Sequence, residues 1–277
     1  MNTNSNGYTI VYASIMVIIV AFLLAFVSSS LKEKQDKNVE LDKMKQILTS
    51  LNVSEEELKG DVETTYNKYI KEDRLLDLEG NVVSATGGFD VESKKLKEDN
   101  VTKLPLYVCE VNGETKYVVP LYGAGLWGPI WGYVSFNADK KTIYGTYFSH
   151  EGETPGLGAE IAMPFFQSEF KGKLLQENGE VRISVEKNGK VSNPEYEVDG
   201  ITGGTITSKG VNQMLHNCLG RYAEFFKQSE LVVAMESVES ATDSVTVGAS
   251  LDSMAAIQDS LVSVVKQVAD SIQAQVK

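Results

Sequence analysis

The chain has 277 residues, 42% of them apolar, and carries 38 acidic against 26 basic side chains for a formal net charge of −12. That is enough chain for one sizeable domain plus appendages, and the acidic balance argues against a nucleic-acid partner, which would leave a basic footprint. Two cysteines and two histidines, Cys109, Cys218, His150 and His216, form no disulfide framework and no cluster with metal-ligand spacing, and nothing local supports a hydrolase constellation. No metal site and no catalytic side chain are expected.

Residues 1–31 contain no charged side chain, and residues 10–27 are almost wholly apolar until Lys32 ends the run. A bilayer core needs about 20 such residues. A cleaved signal peptide is the competing reading, but it would want a positive leading segment and a shorter apolar core. A retained transmembrane anchor is therefore expected over residues 1–31. Lys32, Lys34 and Lys37, counted alone, argue for a cytoplasmic position of the downstream domain.

Residues 38–51 read as a helix, with Val39, Leu41, Met44, Ile47, Leu48 and Leu51 mostly on one side. Ser54 followed by Glu57 has the form of a capping box opening a second short helix. Residues 80–103 are polar and read as an irregular surface segment. Strands are expected at 106–111 and 116–121 around the turn Asn112-Gly113-Glu114, then at 132–137 and 141–148 around Ala138-Asp139-Lys140. Residues 165–175 read as a helix, and 182–186 as one arm of a last hairpin across Asn188-Gly189. A helix over 208–228 presents Val211, Met214, Leu215, Cys218, Leu219, Tyr222, Phe225 and Phe226 on one face.

This order predicts an α+β domain over residues 32–228, a mainly antiparallel sheet flanked by helices. Cys109, in a strand, and Cys218, on the apolar helix face, read as buried free thiols; a disulfide between them in an oxidising compartment is the alternative. The tail, residues 229–277, ends in an amphipathic helix marked by Leu251, Met254, Leu261, Val264, Val265, Val268 and Ile272. It could dock on its own domain or serve a partner or self-association.

The most informative stretch is Asp199-Gly200-Ile201-Thr202-Gly203-Gly204-Thr205-Ile206-Thr207-Ser208. Glycines and hydroxyls crowd the start of a helix, where free amides and the positive end of the dipole favour an anion. Thr207 or Ser208 is the expected N-cap. Gly203 and Gly204 allow close backbone approach or positive φ. Such a loop can also do no more than cap its helix. Two further Gly-punctuated loops, Pro120-Leu121-Tyr122-Gly123-Ala124-Gly125-Leu126-Trp127-Gly128 and Glu153-Thr154-Pro155-Gly156-Leu157-Gly158-Ala159-Glu160-Ile161, could by themselves be turn chemistry.

Taken together and in this order behind an N-terminal anchor, the three loops resemble NqrC, the covalent-FMN subunit of the sodium-translocating NADH:quinone reductase (the Nqr complex). The resemblance runs from the anchor to about Lys227 and leaves the tail unmatched. The family's flavin-attachment signature is Asp, then Ser/Thr-Gly-Ala-Thr, then Ser/Thr. It matches Asp199 and the run from Thr202 to Thr207, with Gly204 in place of the usual alanine. By that match Thr205 is the threonine esterified to the phosphate of FMN, with Thr202, Gly203, Gly204 and Thr207 around it.

The resemblance also implies that Glu153, Thr154, Gly156, Leu157, Gly158, Leu126 and Trp127 belong to the cofactor site. A histidine usually precedes the glutamate loop in the family; Glu151 and Gly152 separate His150 from it, and no role is assigned to His150. Trp127 and Trp131 can equally be packing residues. The esterified phosphate keeps one negative charge, which a helix N-terminus stabilises by about 0.3–1 kcal/mol.

The family implies a single-pass protein of the bacterial inner membrane with its FMN domain on the periplasmic side. A flavin transferase attaches the FMN, and the A, B, D, E and F subunits of the Nqr complex are the partners. Its activity is electron relay from NADH towards quinone, coupled to sodium export. The G subunit of the Rnf ferredoxin:NAD oxidoreductase shares the anchor and the threonine site and is the alternative; a non-redox, membrane-tethered binding module is the third reading. The loop Tyr122 to Trp127 and the long helix after the anchor favour the Nqr family.

Overall fold

In a computed structural model, residues 6–98 and 100–228 are described; the tail and its expected amphipathic helix lie outside the described residues. The first helix, α1 (Asn6–Ser50), has 45 residues and runs unbroken from the apolar stretch into the helix expected over 38–51. At 1.5 Å per residue it is about 67 Å long. The anchor and the helix expected over 38–51 are continuous because residues 28–37 contain neither glycine nor proline, and nothing there stops a helix. None of the apolar half is buried, and it is long enough to cross a membrane, whereas Gln46, Ile47, Leu48 and Ser50 at the other end are buried.

Helices α2 (Glu55–Leu58) and α3 (Val62–Tyr69) come next. The capping box forms by half. Ser54 Oγ accepts the Glu57 amide at 3.4 Å, but the Glu57 carboxylate turns to Lys68 and Tyr69, at 3.2 and 3.0 Å.

Strands β1 (Ile70–Leu76), β2 (Val82–Ser84), β3 (Leu104–Val111), β4 (Glu114–Ala124), β5 (Pro129–Asn137) and β6 (Ile143–His150) form one antiparallel sheet in the order β2-β1-β3-β4-β5-β6. The Asn112-Gly113 turn is as expected: φ is +54° and +81°, the left-handed pair that a two-residue hairpin needs. Strand β1 was not legible, because Lys71-Glu72-Asp73-Arg74 reads as a charged surface. Residues 80–103, expected to be irregular, contain β2 and a 3₁₀ turn (Ser93–Lys97) that buries Leu96.

Both sheet faces are covered. Leu104 and Leu106 of β3, Val119 and Leu121 of β4, and Val134 and Phe136 of β5 face one core; Tyr107, Cys109, Val118 and Tyr133 face the other, under the end of α1 and α3. The two thiols are free, and they sit in different cores. Alternation of strand side chains decides this, since successive residues point to opposite faces.

Helix α4 (Pro164–Ser168) is shorter than the 165–175 expected. Gly172 has φ +80°, and the chain there exchanges backbone bonds with Ile143, so the sheet edge competes with the helix and wins. Phe166 and Phe170 still pack on Phe148, with ring centroids 6.0 and 5.1 Å away. A short hairpin, β7 (Gln176–Glu177) and β8 (Glu180–Val181), precedes β9 (Ser184–Glu186) and β10 (Glu197–Asp199).

The hairpin expected across Asn188-Gly189 is corrected to a parallel pair, β9 with β10. Gly189 does turn the chain, with φ +72°. The Glu197 carboxylate then collects the amides of Ser192 and Asn193, at 2.6 and 2.9 Å, and the loop it builds brings the chain back to the start of β9. Helix α5 (Thr205–Leu219) closes the first core with Val211, Met214, Leu215, Cys218 and Leu219, and helical structure continues irregularly to residue 228.

Candidate flavin site

Three loops meet at one end of the sheet. The β4–β5 turn closes with Gly125 N–H on the Gly128 carbonyl at 2.8 Å, and β5 pairs Ile130 with His150, which brings the segment after β6 alongside it. The start of α5 completes the group.

Glu153 joins all three. The residue is only 4% exposed. Oε1 accepts the Trp127 amide at 2.8 Å, and Oε2 accepts the Thr207 hydroxyl at 2.5 Å. Its own amide donates to His150 Nδ1 at 3.2 Å, so His150 has a place in the site that the sequence did not disclose. Burial raises the proton affinity of the Glu153 carboxyl, but the Thr207 hydroxyl and the amides of Trp127, Leu126 and Gly128 outweigh it and hold the group below the ordinary glutamate range.

Two glycines leave room for this carboxylate. A Cβ on Gly125 would stand 2.5 Å from Oε1, and one on Gly158 would stand 2.4 Å from both Oε2 and Thr207 Oγ1. Their value is close approach to a side chain rather than backbone freedom.

The start of α5 differs from expectation. The helix begins at Thr205 with Gly204 as N-cap, and no side chain caps it. Thr207 gives its hydroxyl to Glu153, and Ser208 Oγ accepts the Ile201 amide at 2.9 Å, so neither is the cap. Among the described residues the amides of Thr205, Ile206 and Thr207 are the unpaired donors of a helix N-terminus, and the first closing bond is Ser208 N–H to the Gly204 carbonyl. Gly203 takes φ +76° and Gly204 packs on Ile201 and the Leu157 carbonyl.

Around this start, Thr202, Gly203, Thr205, Thr154, Gly156 and Leu157 are exposed, whereas Gly204, Thr207, Glu153 and Gly158 are buried supports. The Thr154 carbonyl accepts the Leu157 and Ala159 amides, both at 3.1 Å, and Gly156 N–H donates to Glu160. Apolar side chains stand in solvent beside the free amides: Trp127 is 69% exposed, Leu126 47%, Leu157 43%. Trp131 lies elsewhere, its indole N–H donating to Gln46 of α1 at 3.1 Å. Thr202 with Gly156, Glu160, Phe165 and Ile201 lines a cleft of about 560 Å³.

An exposed hydroxyl at an uncapped helix N-terminus suits a phosphate, and exposed indole and leucine side chains next to it suit a planar ring. These residues therefore fit FMN, and residues 125–220 match the FMN-binding domain family. The fold and site define a flavin-mononucleotide-binding domain.

Relatives narrow this further. The C subunit of the Na(+)-translocating NADH-quinone reductase of Haemophilus ducreyi is 32% identical over 253 residues, covering 82% of this chain and 96% of that one. The same subunit of Pasteurella multocida is 33% identical, covering 79% and 92%. The crystal structure of its Parabacteroides distasonis counterpart is 47% identical, with a TM-score of 0.64 over 71% of this chain and 96% of that one. The chain belongs to the NqrC family, the C subunits of the Na(+)-translocating NADH-quinone reductase, an oxidoreductase.

Proposed function

We propose that this chain carries FMN as a phosphoester on Thr205 and relays electrons from NADH towards quinone, coupled to sodium export. The observation that carries the reading is the Thr205 hydroxyl, exposed at the first position of an uncapped helix inside the FMN-binding match. When bound, the flavin supplies the one-electron chemistry. The chain's residues hold and orient it. The amides at the start of α5 would face the phosphoryl charge, and Leu126, Trp127 and Leu157 would wall the ring. The Glu153–Thr207 bond keeps these loops in register. No side chain has to move a proton.

On this reading the chain divides into an anchor (1–31), an FMN domain (32–228) and a tail (229–277). The anchor sits in the bacterial inner membrane with the domain on the periplasmic side. A flavin transferase loads the domain, and the A, B, D, E and F subunits complete the complex. Covalent attachment suits that side, since it abolishes a dissociation equilibrium that would lose free flavin.

The test is the intact mass of the full chain co-expressed with a flavin transferase. A gain equal to FMN less water, mapped to the peptide holding Thr205 and absent from Thr205→Ala, is expected. A Thr205→Ala chain that stays yellow after denaturation would overturn the assignment.

A further inference from the structure

Residues 205, 208, 209 and 212 share one face of α5, because positions three, four and seven apart superpose on a helix. Together with the turn after β9 they line a cleft of about 240 Å³: Thr205, Ser208, Lys209 and Asn212 form one wall, and Lys187 and Asn188 stand on the other. The walls are fixed to one another, since the Val185 amide donates to Asn212 Oδ1 at 2.9 Å. Lys209 stands one helical turn after Thr205 on this face, and both line the cleft.

The charges in this cleft are unevenly matched. Lys37, Lys59, Lys68, Lys71, Lys94 and Lys116 each pair with a glutamate. Lys187 and Lys209, like Lys173 and Lys190, have no ion-pair partner among the described residues. The acidic group lining the cleft is Glu186, whose Oε1 accepts the Ser184 hydroxyl at 3.1 Å. Nearby Asp199 is engaged by the Gly189 amide at 2.8 Å. Among the groups that line the cleft, two lysines against Glu186 leave one positive charge; Asp199 keeps its own charge outside that lining.

We propose that Lys209 and Lys187 are the counter-charges of the phosphodiester on Thr205, which makes this cleft the phosphate side of the flavin site. The inference rests on the reading that Thr205 bears the phosphoryl group. A phosphodiester keeps a single negative charge, which balances the cleft. The two lysines are positioning residues: they would fix where the phosphate lies and leave the ring to Leu126, Trp127 and Leu157, which do not line this cleft.

The test is the rate of lysine acetylation, residue by residue by mass spectrometry, in the flavin-loaded full chain and in Thr205→Ala. Lys209 and Lys187 should react more slowly in the loaded chain, by up to about fivefold, the upper end of what an exposed ion pair contributes, while Lys190 on the same turn reacts equally in both. The protection should fade between about 0.05 M and about 0.5 M salt, as screening predicts. Equal rates in the two chains, or protection indifferent to salt, would overturn the proposal. Flavin retained by Thr205→Ala would instead overturn the attachment reading on which it rests.

Discussion

Glu153 and Thr207 stand 54 positions apart and are joined by a buried 2.5 Å hydrogen bond from the threonine hydroxyl to the carboxylate. The same carboxylate takes the Trp127 amide. Three sequence motifs are thereby tied by one side chain that does not itself face solvent.

Replacing Glu153 by alanine leaves the Thr207 hydroxyl and the loop amides without an acceptor. Each orphaned donor to a charged group costs about 1–3 kcal/mol. A loss of about 3 kcal/mol is expected, or roughly 6–12 °C in Tm for a domain of this size, together with a sharp fall in the fraction of chain carrying flavin. Thr207→Val should show a smaller loss of the same kind. Calorimetry and intact mass on the two variants check this; a Glu153→Ala chain with native Tm would refute the keystone role.

The pH dependence is set by the sign of the Glu153 shift. Its folded-state pKa lies below the ordinary value of 4.5, so the unfolded chain takes up the proton first as the pH falls. Its contribution is complete above about pH 4.5 and is lost as the pH drops through the lower, folded value. Urea titrations between pH 3 and pH 6 should therefore show a decline at the acid end that is shallower in Glu153→Gln. Parallel curves for the two chains would count against it.

The two glycines of the site should behave differently. A Cβ on Gly158 meets Glu153 Oε2 and Thr207 Oγ1 at 2.4 Å, so Gly158→Ala must break the hub and should cost about 3 kcal/mol or more. A Cβ on Gly204 meets Ile201 at 3.1 Å and the Leu157 carbonyl at 3.2 Å, contacts that a small shift relieves. Gly204→Ala, which restores the alanine usual in the signature, is expected to stay within about 1 kcal/mol of native and to load flavin normally. Comparing Tm and flavin content of the two variants decides the matter.

The junction between α1 and the sheet is another close contact. A Cβ on Gly145 would lie 2.5 Å from the Ser50 carbonyl, which also accepts the Ser135 hydroxyl at 2.5 Å. Gly145→Ala should lift the end of α1 from β6, lowering Tm by several degrees and exposing the helix end to protease, with Thr205 still able to take flavin at low temperature. Native proteolysis rates would refute it.

Much of this was legible in the residues. The apolar run, the two hairpins, the helix bearing Val211 to Leu219 and the three Gly-rich loops all announce themselves, because each is a local pattern of period, turn chemistry or motif. What escaped did so for physical reasons. β1 hides behind four charged residues in a row and is a strand because β3 on one side and β2 on the other pair with it. The 165–175 helix yields to backbone pairing with Ile143. The expected cap at Thr207 fails because a carboxylate from a distant loop takes that hydroxyl.

The amino-acid order alone determined that a membrane-length helix leads into an α+β domain, and that a threonine at the start of a helix is where a phosphate would go. Only the tertiary structure decided which threonine stands free and which is buried against Glu153, that the two thiols lie in separate cores, and that Lys187 and Lys209 share a cleft with Thr205. Local patterns are fixed by neighbours along the chain, whereas a buried hydrogen bond or a shared cleft exists only between residues that folding brings together.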